Sequence, residues 1–309
     1  MSRLAFIFPG QGSQYVGMGK ELYDEFDIAR RIYEEASSIL GFDLATLSFD
    51  GPEDALRESK NAQVAILVHS IASMEVLRSV GIQPSIVAGH SLGEYSALYC
   101  AGVFDRETVI RVVRKRGEAM SSAGERCPGV MCAVLGLDAR TVEGICRDIT
   151  SGTVVVANYN AEGQIVVSGE ESAVKEVSER AKSAGARRVI FLNVSGAFHS
   201  PLMESALEEF TKVLDGVKMS APSLDIVMNV TGEVERNVER MRELLKKQLL
   251  SPVQWVKTIR TLEDLGVSRA VECGPGKVLC GLVRRTTKAI EVVPFGAPQD
   301  LDKIRREEI

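Results

Sequence analysis

Signatures of metal and redox sites are missing from this sequence, which has three histidines, six cysteines and no Cys-x-x-Cys pair in 309 residues. Histidines as scattered as His69, His90 and His199 complete no zinc set, so a protein without metal or cofactor and with reduced thiols is expected. No apolar run approaches the roughly 20 residues of a membrane span. Residues 4–8 are too short for a signal-peptide core and run straight into Pro9-Gly10, so a cytoplasmic protein without membrane insertion is expected. Basic residues are not in excess: 37 Lys and Arg against 42 Asp and Glu leave a formal net charge of −5. That balance gives no general attraction to nucleic acid or anionic lipid, and an acidic partner would need a local basic patch. The Gly-Lys-Ser/Thr of a P-loop, the Gly-x-Gly-x-x-Gly spacing, internal repeats and low-complexity stretches are absent as well.

A hydrophobic content of 45% in 309 residues suffices for a large core and for about two domains of roughly 150 residues each. The chain is organised around Ile86-Val87-Ala88-Gly89-His90-Ser91-Leu92-Gly93-Glu94. A short apolar run leads into Gly-x-Ser-x-Gly, and a helical pattern (Tyr95, Leu98, Tyr99) follows, the sequence form of a strand, a sharp turn and a helix. Side chains in place of Gly89 and Gly93 would collide with such a turn, and the Ser91 hydroxyl would stand out at its tip. The first unpaired N–H groups of the helix, Leu92 included, would then point at an oxyanion formed beside Ser91. A plain Gly-rich turn is the competing reading.

Residues 4–8 read as a buried strand that ends in the loop Pro9-Gly10-Gln11-Gly12-Ser13-Gln14, whose glycines allow close backbone approach to a ligand or simply a tight turn. Residues 18–40 read as helical and 61–80 as a helix buried on more than one side, with His69 off its main stripe as a structural or surface residue. Asp105 reads as the N-cap of a helix over 106–121. At about 100° per residue, Val109, Val112, Val113, Arg116 and Met120 share one stripe of it, and Arg111, Arg114, Lys115 and Glu118 the other. Arg116 thus stands where an apolar residue is expected. A buried cation requires an anionic partner, and periodicity leaves a protein carboxylate and a substrate carboxylate equally open.

From Gly129 the pattern changes: strand 130–137, helix 138–149, strands 154–157 and 165–168, helix 172–184, strand 188–192. That is the βαββαβ order of a ferredoxin-like module, with 121–129 and 193–196 as its hinges. Asn158 and Asn160, placed in the turn between its middle strands, are cleft-lining candidates or ordinary turn residues. Past the module, Ser200 caps a helix opening with Pro201, which holds His199 at a loop–helix junction. Strands at 225–230, 269–273 and 291–295 alternate with helices at 238–250, from Pro252 and from Lys277, and the charged tail from Asp300 reads as peripheral.

A serine nucleophile needs a base within about 2.6–3.2 Å. His69 lies in mid-helix, and His90, next to Ser91 at an elbow, would point elsewhere as a wall residue. His199 remains as the general base. No carboxylate stands out to orient its other ring nitrogen.

Six motifs, Phe8 to Gln14, Gly89 to Glu94, Arg114-Lys115-Arg116-Gly117, Ala197-Phe198-His199-Ser200, Gln248 to Trp255 and Gly274-Pro275-Gly276-Lys277, resemble in order those of the bacterial malonyl-CoA:acyl carrier protein transacylases. The resemblance implies an α/β fold with a parallel-sheet, α/β-hydrolase-like large domain (1–128 and 194–309) and an inserted ferredoxin-like small domain (129–193). It implies an acyltransferase that moves malonyl from malonyl-CoA to the phosphopantetheine thiol of acyl carrier protein for fatty acid synthesis. Ser91 and His199 would form the catalytic Ser-His dyad, and the Gln11 and Leu92 N–H groups the oxyanion hole. Arg116 would hold the malonyl carboxylate, and a backbone carbonyl at Gln248 would orient His199. Leu92 and Ala197-Phe198 match the malonyl-selecting pattern more than the methylmalonyl one. Expected partners are malonyl-CoA, CoA and the acidic carrier protein, for which Arg114, Lys115, Arg187, Arg188 and Arg284 are candidate contacts; the chain itself is expected to be a monomer. The rivals are a serine esterase or thioesterase of α/β-hydrolase type and a non-catalytic binding protein of acyltransferase fold.

Overall fold

The computed structural model describes residues 3–306. Its strands, in chain order, are β1 (Arg3–Phe8), β2 (Ile86–Gly89), β3 (Val130–Leu135), β4 (Val154–Ala161), β5 (Gln164–Gly169), β6 (Arg188–Phe191), β7 (Asp225–Val227), β8 (Val234–Glu235), β9 (Val267–Cys273) and β10 (Glu291–Phe295). The fold is mixed α/β with a parallel sheet. Six strands form that sheet in the order β10-β9-β1-β2-β7-β8, and only the short β8 runs antiparallel to its neighbour.

Alternation along the central strands explains why both faces of this sheet are covered. Phe6, Phe8 and Val87 point into one apolar cluster, built with helices Ser59–Ser79, Gly93–Cys100 and Arg106–Arg126. Ala5, Ile7, Ile86 and Ala88 point into another, with helices Trp255–Asp264 and Val278–Thr286. Strands sandwiched in this way must be apolar on both sides, hence the unbroken apolar run of β1. The loops after β1, β2 and β9 all emerge at the carboxyl ends of parallel strands, the edge where open α/β sheets form ligand sites.

The second sheet is antiparallel, in the order β4-β5-β3-β6. Cys132, Val134, Val156 and Val167 face its own helices, Ala139–Arg147 and Glu171–Ser183, through Val142, Val174 and Val177. Met131, Ala133, Ala157 and Val166 face the other way, into the larger cluster. Strand β4 is tied to the large sheet's side of the molecule by Tyr159 N–H donating to Val253 O at 3.0 Å and Val253 N–H donating to Ala157 O at 2.9 Å.

Several boundaries differ from the sequence expectation. Asn158 and Asn160 lie inside β4, beside irregularities in its pairing with β5, and not in the turn that follows. The helix capped by Asp105, whose carboxylate accepts from Thr108 N–H at 2.7 Å, continues to Arg126, so most of the expected hinge at 121–129 is helical. The helix expected from Pro252 begins at Trp255. The tail is not peripheral: Leu301 and Ile304 of helix Leu301–Arg306 are buried in the core; residues 307–309 lie outside the described residues.

His69 is fully buried in helix Ser59–Ser79, its Nε2 hydrogen-bonded to Gly296 O at 3.0 Å. Burial is the main cause that lowers its pKa to about 4. An unfolded chain therefore takes up this proton before the folded one does, and stability falls as pH drops from about 6.5 toward 4. Between pH 7 and pH 5 His69 alone should cost roughly 2 kcal/mol. His69→Gln, which keeps a donor for Gly296 O, should lose less melting temperature over that interval than wild type; equal losses would contradict this assignment.

Candidate active site

The elbow after β2 is backbone-crowded. A Cβ on Gly89 would lie 1.9 Å from Gly93 O, and one on Gly93 would lie 2.0 Å from Phe8 O, so neither position admits a side chain. Between them Ser91 has φ +51°, a left-handed conformation that is strained for any residue but glycine. Asn229, just past β7, holds it there: its Oδ1 accepts from Ser91 N–H at 2.6 Å and its Nδ2 donates to Gly89 O at 2.6 Å. His199 has a φ of +57° and arrives from the loop before the Pro201–Met203 turn, which Ser200 caps by accepting from Leu202 N–H.

These two strained residues meet. Ser91 Oγ lies 2.8 Å from His199 Nε2, and His199 Nδ1 lies 2.8 Å from Gln248 O. A carbonyl can only accept, so Nδ1 carries the proton and Nε2 presents a lone pair to the serine. The orienting group that the sequence left blank is a backbone oxygen. Burial, followed by the charge of Arg116, lowers the His199 pKa to about 3, against the pull of its Gln248 hydrogen bond. The ring is neutral, and therefore basic, across the ordinary pH range.

A pH profile checks this. An imidazole of ordinary pKa 6.5 would retain about one-tenth of its neutral form at pH 5.5. With His199 depressed, kcat/KM at pH 5.5 should stay close to its value at pH 7.5, because free-enzyme ionisations govern that ratio. An acid limb centred near 6.5 would contradict the reading.

Arg116, on the apolar stripe of its helix, is 1% exposed. Its Nη1 donates to Gln63 Oε1 at 2.7 Å, and its Nη2 to Gln248 Oε1 at 2.9 Å and to Ser91 Oγ at 3.3 Å, while its Cζ sits 5.4 Å from the centre of the Tyr95 ring. Among the described residues no carboxylate oxygen comes within 4.0 Å of it. The nearby buried charge is that of Glu94, which is fully buried and accepts from Asn229 N–H at 2.6 Å and from Gln248 Nε2. Burial raises the Glu94 carboxyl above its ordinary range, while both hydrogen bonds and the Arg116 charge pull it back toward the ionised form.

The loop after β1 closes the other side. Gln11 Nε2 donates to Ser59 Oγ at 2.9 Å, and Gln11 Oε1 accepts from Gln63 Nε2 at 3.3 Å. Among the described residues neither the Gln11 nor the Leu92 backbone N–H has a hydrogen-bond partner. One cavity gathers Gln11, His90, Ser91, Arg116, Asn158, Asn160 and His199, with Met120, Met131, Val166 and Phe198 as apolar wall. His90 is a wall residue whose Nε2 meets Asn160 Oδ1 at 2.7 Å and whose ring packs edge-on to Trp255. Of the basic residues considered for partner contact, Arg114 is engaged by Glu118 and Asn61, Lys115 by Glu118 and Arg284 by Val292 O, and Lys115, Arg187, Arg188 and Arg284 are exposed. Among the described residues no group of three or more His, Cys, Asp or Glu side chains could hold a metal ion.

Sequence reasoning missed Gln63, Glu94, Asn229 and the side chain of Gln248. Glu94 had a signal: it is the one charged residue of helix Gly93–Cys100, which is otherwise free of charge and nearly all buried. Gln63 interrupts an apolar run in the same way. Asn229 carried none: the expected strand at 225–230 took it in, and the observed strand ends at Val227.

An acyl transferase domain profile matches residues 5–300. The chain is 42% identical over 304 residues to the malonyl CoA-acyl carrier protein transacylase of Bacillus subtilis, covering 98% of this chain and 96% of the relative. The enzyme of that name from Staphylococcus aureus is 40% identical over 303 residues, covering 97% and 98%. Among solved structures, an acyl carrier protein S-malonyltransferase from Vibrio cholerae superposes with TM-score 0.95 at 38% identity, covering 98% of this chain and 100% of that one. A malonyl-transacylase in complex with a type II PKS acyl-carrier protein superposes with TM-score 0.96 at 37% identity, covering 99% and 100%. With a serine–histidine pair at its elbow and this likeness along its whole length, the chain belongs to the malonyl CoA-acyl carrier protein transacylases, within the acyl transferase domain family.

Proposed function

We propose that this enzyme transfers malonyl from malonyl-CoA to the phosphopantetheine thiol of acyl carrier protein, through a malonyl ester on Ser91, and so supplies fatty acid synthesis. The observation that carries the reading is Arg116: a buried guanidinium with no carboxylate on it among the described residues, 3.3 Å from the nucleophile and inside the same cavity. A carboxylated acyl group completes that arrangement; an uncarboxylated one leaves the guanidinium without a carboxylate bonded to it.

His199 Nε2 takes the Ser91 proton as Oγ attacks the thioester carbonyl. The oxyanion accepts from the free N–H groups of Gln11 and Leu92. The C–S bond then breaks, and the CoA sulfur leaves with the proton from His199. A carrier thiol reverses the roles: it gives its proton to His199 and attacks the ester, and Ser91 leaves with that proton. A malonyl carboxylate on Arg116 also offsets the positive charge that depresses His199, so substrate binding makes the base stronger.

The small sheet, with its own apolar cluster, supports an inserted ferredoxin-like domain over 129–193 between the parts (1–128 and 194–309) of an α/β-hydrolase-like domain. Asn158 and Asn160, in β4, line the cleft between the two sheets. The six free cysteines, with the thiols of Cys100 and Cys132 pushed up to about 12 by burial, suit a reducing cytoplasm.

The test is mass spectrometry of protein mixed with malonyl-CoA, followed by addition of holo-carrier protein. A malonyl adduct on the enzyme that moves to the carrier is expected. Rapid hydrolysis of malonyl-CoA without carrier loading would make the protein a thioesterase, and no adduct at all would make it a non-catalytic binder.

A further inference from the structure

Two buried groups beside the reacting atoms take no part in those steps: the carboxylate of Glu94 and the side-chain amide of Gln248. Gln248 Nε2 donates to Ser91 O at 3.0 Å and to Glu94 Oε2, and its Oε1 accepts from Arg116 Nη2 at 2.9 Å. A primary amide can sit either way round, with nitrogen and oxygen exchanged, at almost no change in shape. Here the choice matters, because one orientation offers Arg116 an acceptor and the other offers it a donor.

Glu94 removes the choice. Its Oε1 is held by Asn229 N–H at 2.6 Å, which leaves Oε2 facing the amide. With N–H groups facing both oxygens and the Arg116 guanidinium nearby, Glu94 is held as a carboxylate, which accepts only, so that oxygen tolerates the NH2 edge of Gln248 and repels the carbonyl edge. Ser91 O makes the same demand more weakly, being neutral. The amide oxygen is thereby left on the Arg116 side, opposite Gln63 Oε1 on Nη1, and the guanidinium is clamped at both ends.

We propose that Glu94 is a positioning residue for substrate selection: by fixing which way the Gln248 amide faces, it holds Arg116 in the orientation that receives the carboxylate of the acyl group. The inference rests on the malonyl-transfer reading above. It also differs in sign from a simple counter-charge role. If Glu94 only neutralised Arg116, removing its charge would strengthen the pull on an incoming carboxylate. If it orients Gln248, removing the carboxylate weakens that pull.

Glu94→Gln is the discriminating variant, because it keeps an oxygen for Asn229 N–H and can present an NH2 group to Gln248. The KM for malonyl-CoA should rise roughly tenfold or more, kcat should change less, and turnover of acetyl-CoA, which has no carboxylate to place, should stay within about threefold of wild type. In the double variant E94Q/Q248E the acceptor at 248 is supplied by a carboxylate and the buried charge count is restored. About half or more of the lost malonyl-over-acetyl discrimination, on a logarithmic scale, should then return. A lower malonyl-CoA KM in E94Q, an equal loss of kcat with both donors, or discrimination within about twofold of wild type would overturn the proposal, as would a double variant no better than E94Q. Should E94Q not fold, neutron diffraction from wild-type crystals decides. Deuterons on the Gln248 nitrogen must face Glu94, and deuterons facing Arg116 refute the assignment. Failure of wild type itself to transfer malonyl would refute the transferase reading instead.

Discussion

Ser91→Ala should form no malonyl-enzyme and should lose roughly 10⁴-fold or more in malonyl transfer, the scale seen when a nucleophile that acts with its base is removed. The size follows from how much of the site converges on one oxygen. His199 Nε2 and Arg116 Nη2 both address Ser91 Oγ, at 2.8 and 3.3 Å, and the strained elbow exists to hold it there. What survives in the variant is the unpaired N–H groups of Gln11 and Leu92 and the cation of Arg116, which still bind malonyl-CoA. The readout is therefore split: malonyl-CoA binding by calorimetry stays near wild type, while burst labelling by intact-mass analysis disappears. Removing a hydroxyl at a φ of +51° also relieves no backbone strain, since alanine has the same Cβ, so the melting temperature should shift little. Residual labelling of the Ser91→Ala protein at the wild-type rate would place the acyl group on another residue.

Apolar periodicity made the fold legible where a strand was buried on both faces. The run over residues 4–8 of β1 and the stretch 64–74 of helix Ser59–Ser79 announced themselves because almost every side chain there is apolar or small. Boundaries were harder where polar residues continue a strand. Asn158 and Asn160 read as turn because asparagine favours turns. In the structure Asn160 lies within β4, and its Oδ1 meets His90 Nε2 at 2.7 Å. Tertiary partners outweighed local propensity at that point. The tail misled for a similar reason: Asp302, Lys303 and Arg305 of its helix are exposed, and Leu301 and Ile304 reach the core.

The site was legible in proportion to how far each residue broke its local pattern. Arg116 stood out because a cation interrupted an apolar stripe, and Ser91 because two glycines flanked it at the end of a strand. His199 emerged only by elimination. The acceptor on its Nδ1 could not be found by reading side chains, since Gln248 contributes it from the backbone. The amides of Gln63, Asn229 and Gln248 carry no periodicity signal, because what an amide does depends on which neighbours it meets after folding. Those neighbours come from six separate segments, around residues 11, 63, 89–94, 116, 229 and 248.

Arg116→Ala should cost about 10²–10³-fold in kcat/KM for malonyl-CoA, the roughly 3–4 kcal/mol expected when one partner of a buried, hydrogen-bonded charge pair is removed. Acetyl-CoA, which never engages the guanidinium through a carboxylate, should be affected far less, so the ratio of the two donors moves toward unity. The vacated space does not strand a bare charge. Glu94, whose carboxyl burial already raises, loses the cation that pulls it down and shifts further toward its neutral form. His199 loses the second-largest cause of its depressed pKa in the same step, so its basicity rises toward the ordinary value. The acid limb of kcat/KM should therefore move up in pH in Arg116→Ala, a direction that a merely misfolded site would not produce. Arg116→Lys separates charge from geometry: a single ammonium cannot bond Gln63 Oε1, Gln248 Oε1 and Ser91 Oγ as the planar fork does. It should keep the low His199 pKa while still losing much of the malonyl preference. Arg116→Ala with unchanged preference for malonyl-CoA would remove the arginine from substrate recognition and leave it a role in tuning His199 alone.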